Sequence, residues 1–419
     1  MFDRAYRQRL EADLARWQGD GLIAPATVAA IRGALPPLAP GINISVVVGI
    51  VGGLLIAAAF LAFVAAHWIE IARLMRLAIL LVGIVTAHGL GAWFARTGRP
   101  VLADLCAGVG AIVFGAGIAL VGQMYHLGGD FAGGMLLWAI GSLAAAALTG
   151  SRGALAVALV AASIWSCVRV GELPELPHFE FVAVWVIAAG LALAWNSRVA
   201  AHLVAAAALP WWIAAAIQPG AEASLILADG AALLFGAGLA LTATPWQRAS
   251  SAGAVLSSYG AFSLTIAAIL EVTTANDLLS LRSLAVSQPV WAILCGVAGA
   301  ILAVAAAATT RRAGSAFAGG AIGLVLLAAA AWTSPKQGEP WLAYALELSA
   351  MLCLVVSGML DAARPRIVAG WLGIAGVIAG ITWAVKGSLL ARSAFLAVAG
   401  AAAIALAAVL NRLLPRADE

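Results

Sequence analysis

Charge is what this sequence has least of. Asp, Glu, Lys and Arg make up 10% of its 419 residues, where a soluble chain has roughly a quarter. Residues of the AVILMFWYC class make up 64%, so the apolar excess must face lipid rather than water. Cysteine is scarce as well. Cys106, Cys167, Cys295 and Cys353 all lie inside apolar runs, with no CxxC or Cys/His spacing, which points to neither a disulfide framework nor a zinc site. They read as small apolar packing residues. Walker A, GxSxG and HExxH signatures are missing, so no cofactor is expected and an enzyme is the weaker reading. The net charge of +4 comes from basic residues scattered singly over loops, an arrangement that does not suit nucleic acid.

What the chain does contain is a series of apolar runs long enough to span a bilayer. They fall near 43–66, 75–94, 101–122, 132–149, 153–170, 179–195 and 200–217. The second half adds 224–243, 251–271, 290–309, 314–332, 341–360, 366–385 and 391–410. The fold class is therefore all-α, a polytopic transmembrane bundle of about fourteen spans. Its 45 glycines fit that class, because small residues let membrane helices approach closely. The weakest span is 200–217, which carries His202 and Pro210. Residues 1–40 differ. Arg4, Arg7, Arg9, Glu11, Asp13 and Arg16 alternate with Leu10, Leu14 and Trp17, Gly19-Asp20-Gly21 breaks the pattern, and Pro25 opens a second short helix. That predicts an amphipathic cytoplasmic hairpin over 1–40, a bundle over 41–411 and a cytoplasmic tail over 412–419.

Loop charge sets the orientation. On the side of the termini lie sixteen Lys and Arg, against seven on the other, so the positive-inside rule puts both termini in the cytoplasm. About forty residues precede the first run, too many for a typical signal-peptide n-region, so that run is expected to stay as an anchor. One internal similarity stands out. Leu102-Ala-Asp104 leads to Phe114-Gly-Ala-Gly-Ile-Ala-Leu120, and Leu227-Ala-Asp229 leads to Phe235-Gly-Ala-Gly-Leu-Ala-Leu241. An offset of five spans would invert the topology of the two copies, as in many secondary transporters. Coincidence in an Ala-, Gly- and Leu-rich chain is the competing explanation.

Ionisable groups inside a bilayer are costly, and each invites a functional question. Asp104, Arg169, Glu271 and Lys386 lie within a turn of expected helix ends, where capping or snorkelling explains them. His88 lies deeper, as a backbone-bonded histidine or a proton relay. Glu347 lies about a turn and a half inside its span, as a bonded structural carboxyl or a proton carrier. The densest polar cluster is on the outer, periplasmic face. His67 and Trp68 end the first span, Gln123, Tyr125 and His126 end the third, and Asp130 follows. These six residues are the candidate ligand-binding set; a place in the interfacial belt is the plainer reading of Trp68 and Tyr125, and of Trp138 as well. No HxH or HExxH spacing supports a metal there.

Several of these segments resemble one bacterial membrane-protein family, domain of unknown function 2157. The resemblance rests on Leu14…Trp17…Gly21-Leu22-Ile23, Ala66-His67-Trp68 with Arg76, Phe114 through His126, and Leu137-Trp138-Ala139. Gly387-Ser-Leu-Leu-Ala-Arg392 adds a weaker echo near the end. It implies multi-pass location in the bacterial cytoplasmic (inner) membrane and no known activity. Span number, the repeat, His88 and Glu347 point to a transporter or flippase-like carrier in contact with membrane lipids. A scaffold docking a protein partner through residues 1–36 is the alternative, and an outer-face envelope enzyme using His67, His126 and Asp130 ranks last. If the hairpin docks a partner, deleting residues 1–36 should abolish co-purification and leave membrane insertion intact. Unchanged co-purification ends that role.

Overall fold

The computed structural model describes residues 2–34, 72–124, 130–173, 177–217, 222–275, 288–333 and 341–384, with scattered positions between 51 and 62. The expected last span, 391–410, and the 412–419 tail lie outside the described residues, as does most of the first span, 43–66. Among the described residues there are fourteen helices and no strand. The first two, α1 (Phe2–Gly19) and α2 (Pro25–Ala34), form the N-terminal hairpin. Gly21 takes the left-handed conformation between them, and Arg32 of α2 donates to Glu11 of α1 at 2.8 Å. Leu14 and Val28 are buried at the hairpin's small apolar seam.

The bundle begins with α3 (Arg73–Arg96), α4 (Pro100–Met124), α5 (Phe131–Thr149), α6 (Arg152–Glu172) and α7 (Glu180–Ala194). It continues with α8 (Arg198–Ala216), α9 (Ala223–Ala243), α10 (Gln247–Ala275) and α11 (Val290–Thr310). The last three are α12 (Ala313–Thr333), α13 (Trp341–Leu360) and α14 (Arg364–Ala384). These twelve coincide with the second to thirteenth expected spans. Eleven of them are long and apolar enough to cross a membrane. The exception, α7, has 15 residues and at 1.5 Å per residue reaches only about 22 Å. Pro210 is accommodated inside α8, so the segment that looked weakest still forms a full-length helix.

Capping residues explain where the helices begin and stop. Asp130 accepts from Ala132 N–H to open α5, and Ser151 accepts from Ala154 N–H to open α6. Each side chain satisfies a donor that the helix leaves orphaned, an interaction typically worth about 1 kcal/mol. Gly150 closes α5 with φ near 66°, a conformation that a Cβ would penalise.

The packing inverts the arrangement of a water-soluble protein. Large apolar side chains such as Val85, Leu148, Ile187 and Ile301 face outward, where lipid receives them. The interior is built mainly of alanine, in one cluster centred on α5 to α8 and extending from α4 to α11, and another running from α9 to α14. Between α9 and α11 the backbones meet directly. A Cβ on Gly236 would collide with the Gly299 carbonyl, and a Cβ on Gly299 with the Ala232 peptide. Such backbone approach replaces the hydrophobic drive that lipid removes. At the turn between α13 and α14, Arg366 donates to Asp361 at 2.7 Å and to Ser357 at 3.2 Å. Its guanidinium also lies 5.7 Å from the centre of the Phe235 ring. Replacing Gly299 by Ala should push α9 and α11 apart and cost about 1–3 kcal/mol, as overpacking does. The readout is a lower thermal unfolding midpoint in detergent, with Gly117→Ala, whose Cβ would meet nothing within 4 Å among the described residues, as the control.

Candidate functional site

The outer-face set is only partly within view. His67, Trp68, Tyr125 and His126 lie outside the described residues. Gln123 is exposed near the end of α4. Asp130 caps α5 through Oδ1, and its Oδ2 accepts from Arg169 of α6. Arg169 also reaches Glu172 at 2.8 Å. Both Asp130 oxygens are thus engaged, Oδ1 within α5 and Oδ2 in joining α5 to α6. His88 of α3 bonds through Nδ1 to the Ile84 carbonyl of its own helix at 3.0 Å, and its ring fills the space above Gly110 of α4. Trp138, one of the residues suited to an interfacial belt, instead turns inward against Gly115 and donates to the Ala111 carbonyl at 2.8 Å.

The carboxyls are arranged differently from the expectation. Glu271 lies near the end of α10, yet it does not reach the interface. It is 1% exposed, and Glu347 of α13 is 0% exposed. The reason is packing. Val272, Val377, Ile381 and Tyr344 form an apolar plug beside Glu271, with Trp332 and Leu348 against it. Glu271 and Glu347 face one another across α10 and α13. No N–H or hydroxyl donor among the described residues meets either oxygen of Glu347. Two carboxyls are both acceptors, so a hydrogen bond between them requires a proton held in common. Glu347 is the seventh residue of α13, about 9 Å inside the helix end.

A third carboxyl belongs to the same neighbourhood. Asp229 of α9 is buried at 3% exposure, accepts from Gln288 at the start of α11 and rests on Gly296 of that helix. Its field reaches both Glu271 and Cys295. The counterpart in the internal similarity, Asp104 of α4, accepts from Ser151 Oγ at 2.6 Å and Gly153 N–H at 2.9 Å. In both cases a carboxyl near a helix start receives donors from the N-terminal end of the helix two further on. The glycines of the two copies do different work, since Gly115 receives Trp138 and Gly236 receives the Gly299 backbone.

Next to Asp229 the bundle is hollow. A cavity of about 260 Å³ lies between α7, α8, α9 and α10, with Cys295 of α11 in its wall. Phe181 and Trp185 line it from α7, Trp211 and Trp212 from α8, and Leu233 and Ala237 from α9. Trp211 and Trp212 meet edge to face at 4.9 Å, and Trp291 lies 6.0 Å from Trp212. Gly230 leaves the room that Trp212 occupies against α9. Two of the three indole donors in the wall are spent elsewhere. Trp185 donates to the Val204 carbonyl at 2.8 Å, and Trp211 to the His178 carbonyl at 2.7 Å.

Fold and site together define a polytopic α-helical membrane protein. Its residues 15–155 match the model of a family described as predicted membrane protein (DUF2157), which bears out the resemblance read from the sequence. No curated protein and no solved structure matches the chain. The family match ends in α6, before the buried carboxyls and the cavity, so it carries no statement about either. The cavity had a sequence signal that went unused, the aromatic run from Phe179 through Trp185 followed by Trp211-Trp212 and Trp291. The pairing of Glu271 with Glu347 had none, because 75 positions separate them along the chain.

One group near the cavity titrates outside the spans. His178 lies edge-on to Trp165 at 4.3 Å, bonds Ser166 Oγ at 3.2 Å and approaches Glu180 at 3.4 Å. Burial pushes its pKa below the ordinary 6.5, Glu180 opposes that, and Arg169 adds to it. The unfolded chain therefore binds more protons than the native one below that value. The stability held above pH 6.5 should be lost as pH falls from 6.5 through the lowered native value. Thermal midpoints of the wild type in detergent should show that slope, and those of His178→Gln should lack it.

Proposed function

We propose that this chain is a proton-coupled carrier, of transporter or flippase type, in the bacterial cytoplasmic membrane with both termini in the cytoplasm. The observation that carries the reading is the buried Glu271–Glu347 pair, contributed by two different spans. Carboxyls inside a membrane protein are costly, and where they persist they commonly form proton relays. A carboxyl pair joining two helices responds to proton loss mechanically. With the shared proton gone, two negative charges face each other in a medium of low dielectric, and the helices must separate or rotate. Recovery of a proton draws them together. That is a two-state element of the kind that alternating access requires.

Three further features support it. The carboxyl role shared by Asp104 and Asp229 is what two inverted copies would have in common. Asp229 links the pair to a cavity through Cys295, so a change at the carboxyls has a path to the cavity wall. Loop charge, sixteen Lys and Arg against seven, supports the orientation.

The reading can be tested before any cargo is known. Full-length protein in proteoliposomes, adsorbed to a solid-supported membrane, should give a transient charge displacement after a pH jump. Glu271→Gln and Glu347→Gln should each abolish it, while Asp104→Asn, at the other copy, keeps it. A wild-type signal no larger than that of protein-free vesicles ends the proposal.

A further inference from the structure

We infer that the aromatic cavity is a binding site for a hydrocarbon chain of a membrane lipid. The site itself stands apart from the carboxyl pair; only the step of calling that lipid the carrier's cargo rests on the proton-coupled reading.

The chemistry of the wall selects the occupant. Phe181, Trp185, Trp211, Trp212, Leu233 and Ala237 present carbon. The Trp185 and Trp211 N–H groups already donate to backbone carbonyls, so they hold the rings in place and are not offered to a ligand. A polar molecule entering here would forfeit its hydrogen bonds to water and find the Trp185 and Trp211 donors already taken. A hydrocarbon chain forfeits nothing, and its flexible methylenes suit the Trp211 and Trp212 faces, set at 80° to one another.

Position selects the source of that chain. Phe179 and Val182 line the cavity and are also 49% and 38% exposed on the outside of the bundle. The cavity is thus continuous with the surface that membrane-embedded helices present to lipid. Its volume, about 260 Å³, falls just under the range of roughly 300–1,000 Å³ for whole small-molecule sites. It accepts a length of chain and leaves the headgroup outside. Sequence design also points to a maintained space. In an interior where alanine dominates, large aromatic side chains frame this void instead of filling it, and α7 beside it has only 15 residues.

The test uses the full-length chain in vesicles of phosphatidylethanolamine and phosphatidylglycerol, doped with phosphatidylcholine carrying a diazirine in one acyl chain. After irradiation, adducts are mapped by mass spectrometry. Label is expected at Cys295, inside the cavity, as well as at Ile301, which faces lipid on the same helix, and not at the packed Ala303. Ala237→Phe and, as a milder filling variant, Ala208→Leu should each remove the Cys295 label and leave the Ile301 label intact. Competition by unlabelled phospholipid assigns an acyl chain, and selective competition by a polyprenyl phosphate assigns an isoprenoid. Glu347→Gln should retain the Cys295 label, and a wild type that shows the label but no charge displacement rejects the carrier reading alone. Label at Cys295 no greater than at Ala303, or unchanged in both filling variants, overturns the lipid site.

Discussion

In hydrocarbon a backbone N–H or C=O without a partner costs several kcal/mol, and water is not present to supply one. The rest of this structure follows from that constraint. Each described span is a helix because a helix satisfies its own backbone. Termini that cannot do so are closed by Asp130, Ser151, Ser197 or a left-handed residue such as Gly150. Helices then meet through Gly and Ala, since lipid provides no hydrophobic drive and close van der Waals contact must replace it. The Gly236–Gly299 approach is the tightest expression of this rule.

The same constraint gives polar side chains their meaning. Most have been absorbed into the helix framework. Asp104 ties α4 to the start of α6, Asp130 ties α5 to α6, Asp361 holds Arg366, and His88 bonds its own helix. Each of these groups meets a donor, a cation or a carbonyl. Glu347 meets another carboxyl. In a medium that penalises unmet polar groups, that difference separates a structural device from a chemical one, and it motivates placing the coupling proton there. The aromatic cavity is the apolar counterpart, a space lined by side chains large enough to close it.

Much of this was legible beforehand, for identifiable reasons. Twelve expected spans match twelve helices because burial of the backbone requires long uninterrupted apolar runs, and loops interrupt them with Pro, Gly and charge. Leu14, Trp17 and Gly21 marked the hairpin, and the residues from Phe114 to His126 marked the family. The intramembrane Glu347 was visible as an anomaly of composition. Glu271 was misread as an interface residue, because distance from a helix end measures depth only where the end is bare. Here Val272, Val377, Ile381 and Tyr344 cover it. Trp138 was misread in the same way, since an inward rotation toward Gly115 leaves no mark in hydropathy.

What the sequence determined by itself was the medium and the succession of helices, since those depend on local composition. Which helices touch, and which polar groups therefore meet, was decided only in the folded bundle. Glu271 and Glu347 become a pair through the packing of α10 with α13, and the aromatic faces of α7 and α8 with the aliphatic faces of α9 and α10 become a cavity. Helix rotation and partner choice depend on the fit of side chains far apart in the chain. A repeating background of Ala, Gly and Leu spells out that fit too weakly to be read in one dimension.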